Sequence, residues 1–151
     1  IGVRRVGSEM CIRDSYQGIV DFDPKKIHLE HIAPKTPTAY WTDALNIDSH
    51  APDAENRYGE LVSKIGNYMM LEYRLNTSIR NGDWDIKRFG NGDLKSKSYG
   101  DSVLKFVLEV QKASFWNDLM INARTEWFVS AILGTWTFGE EMPIQPFVPE
   151  I

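Results

Sequence analysis

The stretch Ile27-His28-Leu29-Glu30-His31-Ile32-Ala33-Pro34 constrains this 151-residue chain more than any other. Ile27 and Leu29 alternate with Lys26, His28 and Glu30, a period of two that predicts a strand. Pro34 and Pro37 stop it, because proline cannot donate to a ladder. The strand therefore carries an acid and an imidazole, adjacent in sequence, into a proline-bounded loop. Partners for them must come from elsewhere in the chain. The sequence offers Asn67, in Lys64-Ile65-Gly66-Asn67, and then Asn76. Residues 68–71 are an apolar run that predicts a second strand, and a helical turn is expected from Leu75-Asn76 onward.

Around these segments the pattern is mainly helical. Residues 53–63 read as a short helix capped by Asp53, with Tyr58, Leu61, Val62 and Ile65 on one face and Gly66 after it. Residues 38–52 read as irregular, with Trp41 and Leu45 anchoring them to the body. A second short helix is expected over 83–89, capped by Asp83 and ended by Gly90, followed by a loop at 90–93. Two longer helices are predicted. Residues 101–112 place Val103, Phe106, Val107 and Val110 on one stripe, and residues 115–133 place Leu119, Ala123, Trp127 and Ala131 on another. Trp84, Trp116, Trp127 and Trp136 read as core or interface anchors, and Arg124 as a structural ion-pair donor.

Residues 16–138 are expected to form one domain, with 139–151, which holds three prolines, as an extended tail. The opening residues 1–15 resemble a translated sequencing-adapter read and are set apart from the fold. With no initiating Met, the chain is expected to be the C-terminal part of a longer protein. Its 42% hydrophobic content suits a globular domain. No apolar run approaches the roughly 18 residues of a membrane span, and no secretory segment is present, so a cytoplasmic location is expected. A formal charge of −4 argues against a passive polyanion-binding surface. It leaves room for an enzyme that meets phosphate through a metal ion. The single cysteine, Cys11, excludes an internal disulfide and a Cys-rich zinc site.

The residue types suit hydrolysis of a phosphodiester around one hard cation. Glu30 is an oxygen donor of the kind Mg²⁺ takes, and Asn76 adds a neutral amide oxygen. His31 is the candidate base, since an imidazole pKa of about 6.5 leaves it largely neutral near pH 7. Asn67 would brace the loop that orients it. On a straight strand residues 30 and 31 face opposite ways, so both reach one phosphate only if the strand kinks at its end. His28 shares the strand face of Glu30 and is a candidate outer-shell or phosphate contact, as are Arg80, Asn81 and Lys87. Plainer readings stand beside these. His31 could be an ordinary partly buried histidine, and Glu30 could pair with Lys26 or Lys64. Asn67 could serve only a turn. Asn76 could cap a helix starting at Thr77, using the same oxygen a metal would need.

The ordered set of Glu-His-Ile-x-Pro at 30–34, Gly66-Asn67 and Asn76 resembles the HNH endonucleases, also called ββα-metal or His-Me finger enzymes. It is more closely similar to the C-terminal domain of GmrSD-type modification-dependent (type IV) restriction enzymes. The likeness continues through Leu75, Asn81, Trp84, Lys87, Tyr99, Trp116, Arg124 and Trp136, covering residues 27–137. It implies an α+β fold with a ββα-metal core embedded in a mainly helical domain. It also implies a DNA endonuclease in which Glu30 and Asn76 bind Mg²⁺ or Mn²⁺, His31 is general base and Asn67 holds the active-site loop. The products would be 3′-hydroxyl and 5′-phosphate ends. The implied substrate is phage or other foreign DNA, including DNA with modified cytosine. The implied partner is an N-terminal ParB-like nucleotidase domain preceding this one. Two departures are visible. The family's Leu-Gly-Asn-Leu is here Ile65-Gly66-Asn67-Tyr68, and Asn76 stands where many HNH enzymes have His, which implies a weaker metal grip. A non-catalytic DNA-binding or assembly module of the same fold, or an RNA-directed nuclease, are the alternatives.

Overall fold

The computed structural model describes residues 24–136 and Phe147. A 3₁₀ turn at Pro24–Lys26 leads into β1 (Ile27–His31), which ends just before the prolines. After α1 (Ala39–Ala44) and α2 (Ala54–Val62), a 3₁₀ turn at Ile65–Asn67 feeds β2 (Tyr68–Glu72). The two strands pair antiparallel, with Ile27 opposite Glu72 and His31 opposite Tyr68. With no loop residue between, β2 runs into α3 (Tyr73–Ile79). Then come α4 (Trp84–Phe89), a 3₁₀ turn at Tyr99–Asp101, α5 (Lys105–Gln111) and the long α6 (Asp118–Trp136). The fold is α+β: one small sheet in a helical surround.

Several expectations change at this level. The stretch read as irregular after Thr38 contains α1, because the Thr38 hydroxyl accepts from the Trp41 N–H at 3.3 Å and caps the turn. Trp41 and Leu45 are buried, as their anchoring role requires. Asp53 and Asp83 stand at helix starts but make no side-chain cap bond. In α2, Tyr58 and Val62 are buried while Ile65, expected on the same face, is exposed. The predicted helix over 101–112 is split. A Ser98–Asp101 capping box closes a separate turn. The buried Glu72 carboxylate then accepts from the Ser102 hydroxyl and the Val103 N–H, holding that segment extended until α5 begins.

The predicted apolar stripe of α6 is also the wrong one. Leu119 is 69% exposed, while Met120, Ile121 and Arg124 face the core. Apolar and polar residues are spread around this helix without a clear stripe, so periodicity cannot choose its inner face. Gly66 chooses it: a Cβ there would lie 2.2 Å from the Ile121 carbonyl oxygen and 2.5 Å from Thr125 Oγ1. Only glycine lets the turn approach the helix backbone this closely. Arg124, expected to ion-pair, donates instead to the Gly66 and Tyr68 carbonyls, both at 2.7 Å. Its guanidinium lies over the Trp116 and Phe128 rings, and burial pulls its pKa down to about 10.

The core gathers Trp41, Trp84, Trp116 and Tyr99 with Ile32, Leu71, Leu75, Val107 and Ile121. The buried indoles find acceptors: Trp41 donates to the Gly82 carbonyl and Trp84 to that of Ala113, each at 3.1 Å. Trp127 is half-buried and meets Phe147 with ring centroids 6.0 Å apart. Residues 1–15, the Trp136 side chain and the rest of the tail lie outside the described residues. Among the described residues no helix is long and apolar enough to cross a membrane.

Candidate functional site

The loop that leaves β1 is held by one buried amide. Asn67 Oδ1 accepts from the Ala33 N–H at 2.8 Å and from Trp116 Nε1 at 3.3 Å. Its Nδ2 donates to the Ala33 carbonyl at 2.8 Å and the Val62 carbonyl at 3.0 Å. Both donors and both acceptor positions of the side chain are therefore filled. The Asn67 backbone carbonyl adds a bond from the Ile32 N–H at 3.0 Å, and Tyr58 donates its hydroxyl to the Pro34 carbonyl at 2.7 Å. Gly66-Asn67 does form a turn, but the side chain ties that turn to residues 32–34. The strand thus stops at His31 with the following three residues pinned.

Glu30 sits just before that point and is almost wholly buried. Its partner is neither Lys26 nor Lys64, the latter donating to Asn122 at 2.6 Å. Instead Lys87 Nζ lies 2.5 Å from Glu30 Oε1 and also donates to the His31 carbonyl at 3.1 Å. The Tyr99 hydroxyl donates to the same Oε1 at 3.1 Å. Burial pushes the Glu30 pKa up, against the pull of Lys87; burial likewise pulls Lys87 down, against the pull of Glu30. Tyr99, raised well above its ordinary value by burial and by the Glu30 charge, stays a proton donor. Lys87 and Tyr99 thus both act on the same oxygen of this carboxylate.

His31 packs edge-on against Tyr68, ring centroids 4.6 Å apart. Its Nε2 is buried with no hydrogen-bond partner among the described residues. Burial first, and then the charges of Lys35 and Lys87, pull its pKa below the ordinary imidazole value. The ring is therefore neutral at physiological pH. Asn76 lies inside α3, half-buried, because that helix starts at Tyr73. The helix-cap reading of Asn76 is thereby overturned: its side-chain oxygen is not needed at a helix start.

Glu30, His31, Asn76, Arg80 and Asn81 line one open cleft of about 230 Å³, together with Leu29, Pro34 and Lys35. Three residues fall outside it. His28 is exposed and packs against Tyr73, ring centroids 4.7 Å apart and tilted by 41°. Asn67 works from behind, through Ala33. Lys87 is fully buried, so the phosphate-contact reading of it is corrected. It acts on Glu30, not on a ligand in solution. Two participants had no role assigned from sequence: the anchoring Tyr99, named only within the family likeness, and the cleft residue Lys35. Lys35 had a signal, following Pro34 directly in the organising stretch; Tyr99 belongs to no periodic pattern.

Among the described residues there is no group of three or more His, Cys, Asp or Glu side chains poised around one point. The side-chain oxygen donors on the cleft are one carboxylate, Glu30, and two amides, Asn76 and Asn81. That set fits Mg²⁺ or Mn²⁺, hard cations that take few protein ligands and keep several waters. It does not fit a nitrogen- or sulfur-rich zinc site.

These features define a small α+β domain whose polar cleft opens where a two-stranded sheet meets the helix that follows it. The chain belongs to the C-terminal domain family of the GmrSD restriction endonucleases, whose model it matches over residues 4–131. This is a nuclease family, and its substrate is DNA. No curated protein and no solved structure matches the chain.

Proposed function

We propose that this domain is a metal-dependent DNA endonuclease of the HNH type, cutting modified or foreign DNA in the cytoplasm as part of a restriction system. One observation carries the reading. A carboxylate, an imidazole and an amide from positions 30, 31 and 76 meet on a single cleft. The antiparallel pairing of β1 with β2, and the passage of β2 straight into α3, support a ββα-metal arrangement around it. Glu30 and Asn76 would hold one Mg²⁺ or Mn²⁺, which when bound offsets the negative charge that develops on the phosphate and the leaving oxygen.

The protein's own groups do the rest. Lys87 and Tyr99 hold one Glu30 oxygen and so fix the orientation of a carboxylate that lines the cleft. His31, already neutral, takes the proton of the attacking water at Nδ1 while the buried Nε2 side rests against the protein. Asn67 keeps the chain after His31 in one conformation, limiting the imidazole to productive orientations. In-line attack would leave 3′-hydroxyl and 5′-phosphate ends. The natural partner would be an N-terminal ParB-like nucleotidase domain that contributes NTP dependence and recognition of modified cytosine.

The test is cleavage of supercoiled plasmid, unmodified and cytosine-modified, with Mg²⁺ or Mn²⁺. His31→Ala should slow the wild-type reaction by about 10²–10⁴-fold, the usual contribution of a general base. Undiminished cleavage by that variant would remove His31 from the mechanism. Glu30→Ala should lose its response to added metal as well as rate. Cleavage of RNA but not DNA would redirect the substrate assignment.

A further inference from the structure

Arg80 has φ 44° and ψ −130°, and the Gly82 N–H donates to the Ile79 carbonyl at 2.9 Å across it. This is the first corner of a II′-type turn, a place glycine normally holds because an L side chain is strained there. Glycine is present two residues later instead. A Cβ on Gly82 would come 2.8 Å from the Ile86 side chain and 3.0 Å from the Ile79 oxygen, and its carbonyl takes the Trp41 indole bond. The turn is thus locked by packing, with the strain carried by an arginine. Strained non-glycine residues of this kind cluster at ligand clamps.

The position of Arg80 indicates what the strain secures. Arg80 lines the cleft, and its Nε donates to the Thr77 carbonyl at 3.3 Å. Lys35 lines the same cleft from the loop after β1, and its charge reaches His31. Among the described ion pairs neither cation has an acidic partner, whereas Glu30 is already matched by Lys87. The cleft therefore carries two positive charges with no acidic partner among the described residues, on a chain whose formal charge is −4.

We propose that Lys35 and Arg80 form a clamp for the DNA backbone phosphates flanking the one that is cut, and that the strained turn is retained to aim the Arg80 guanidinium into the cleft. This rests on the nuclease reading above. Phosphate contacts position a duplex without reading its sequence, so the clamp adds affinity and register for any DNA.

The experiment measures duplex binding by fluorescence anisotropy across a salt series, with Ca²⁺ in place of Mg²⁺, together with thermal melting of the free protein. Arg80→Gly should raise Tm by relieving the corner while weakening binding. Arg80→Gly and Lys35→Gln should each lower the slope of log K against log salt by about 1, the value for one lost phosphate contact. Arg80→Lys should keep most of that slope. Unchanged affinity and slope in Arg80→Gly and Lys35→Gln would overturn the clamp while leaving a cleaving wild type intact. A lower Tm for Arg80→Gly would overturn it too. A wild-type chain that neither binds nor cuts DNA would remove the nuclease reading together with the clamp.

Discussion

Replacing Asn67 by Ala should cost about 4 kcal/mol of folding stability, before any metal or DNA is added. The side chain serves four groups: the Ala33 N–H and carbonyl, the Val62 carbonyl and the Trp116 indole N–H. Asn67 is fully buried, so water does not simply replace it. Each buried group left unsatisfied costs about 1–3 kcal/mol, and the carbonyls suffer less than the N–H groups because they keep a second lone pair. Counting roughly 1 kcal/mol each gives the figure, set against a typical total of about 5–15 kcal/mol. Urea unfolding followed by tryptophan fluorescence reads it directly. With m near 2 kcal/mol/M the midpoint should fall by about 2 M. Asn67→Asp should not rescue, because it turns an acceptor oxygen toward the Ala33 and Val62 carbonyls where donors were. A midpoint shift in Asn67→Ala below about 0.5 M, roughly 1 kcal/mol, would refute the claim that this amide holds the loop.

Lys87→Met strands a buried carboxylate and should destabilise the metal-free protein by about 3–5 kcal/mol, with Glu30→Gln/Lys87→Met recovering most of it. The Glu30 pKa is raised by burial. Its neutral form is therefore favoured in the fold, and the penalty should be least below pH 4.5 and grow as pH rises through the folded value. Urea midpoints at pH 4 and pH 8 in EDTA check this, and a penalty that shrinks toward high pH would contradict it. Gly66→Ala drives a methyl into the Ile121 carbonyl and the Thr125 amide, both backbone. It should sit at the upper end of the about 1–3 kcal/mol cost of overpacking and lower Tm on the order of 10 °C. An unchanged Tm would show that α6 can retreat freely.

Local pattern by itself determined much of this protein. The alternation from Ile27 to Glu30 and the prolines behind it define β1, and the apolar run after Asn67 defines β2. Trp41, Leu45, Trp84 and Trp116 announce their burial by size and apolarity. The family motif likewise marked Glu30, His31, Asn67 and Asn76 as a set. Other features were decided only in three dimensions. Lys87 joins Glu30 across 57 residues, a choice among many lysines that depends on which ammonium is desolvated beside that carboxylate. Asn76 became a helix-interior residue because β2 passes into α3 without a breaker. The inner face of α6 follows from the closeness of Gly66, since a helix whose apolar and polar residues are scattered around it carries no directional signal of its own. Arg80 holds a glycine-type corner that no composition rule would assign to it. Sequence periodicity encodes backbone conformation and the facing of neighbours along the chain; desolvation and close packing choose among distant partners, and they act only once the chain has folded.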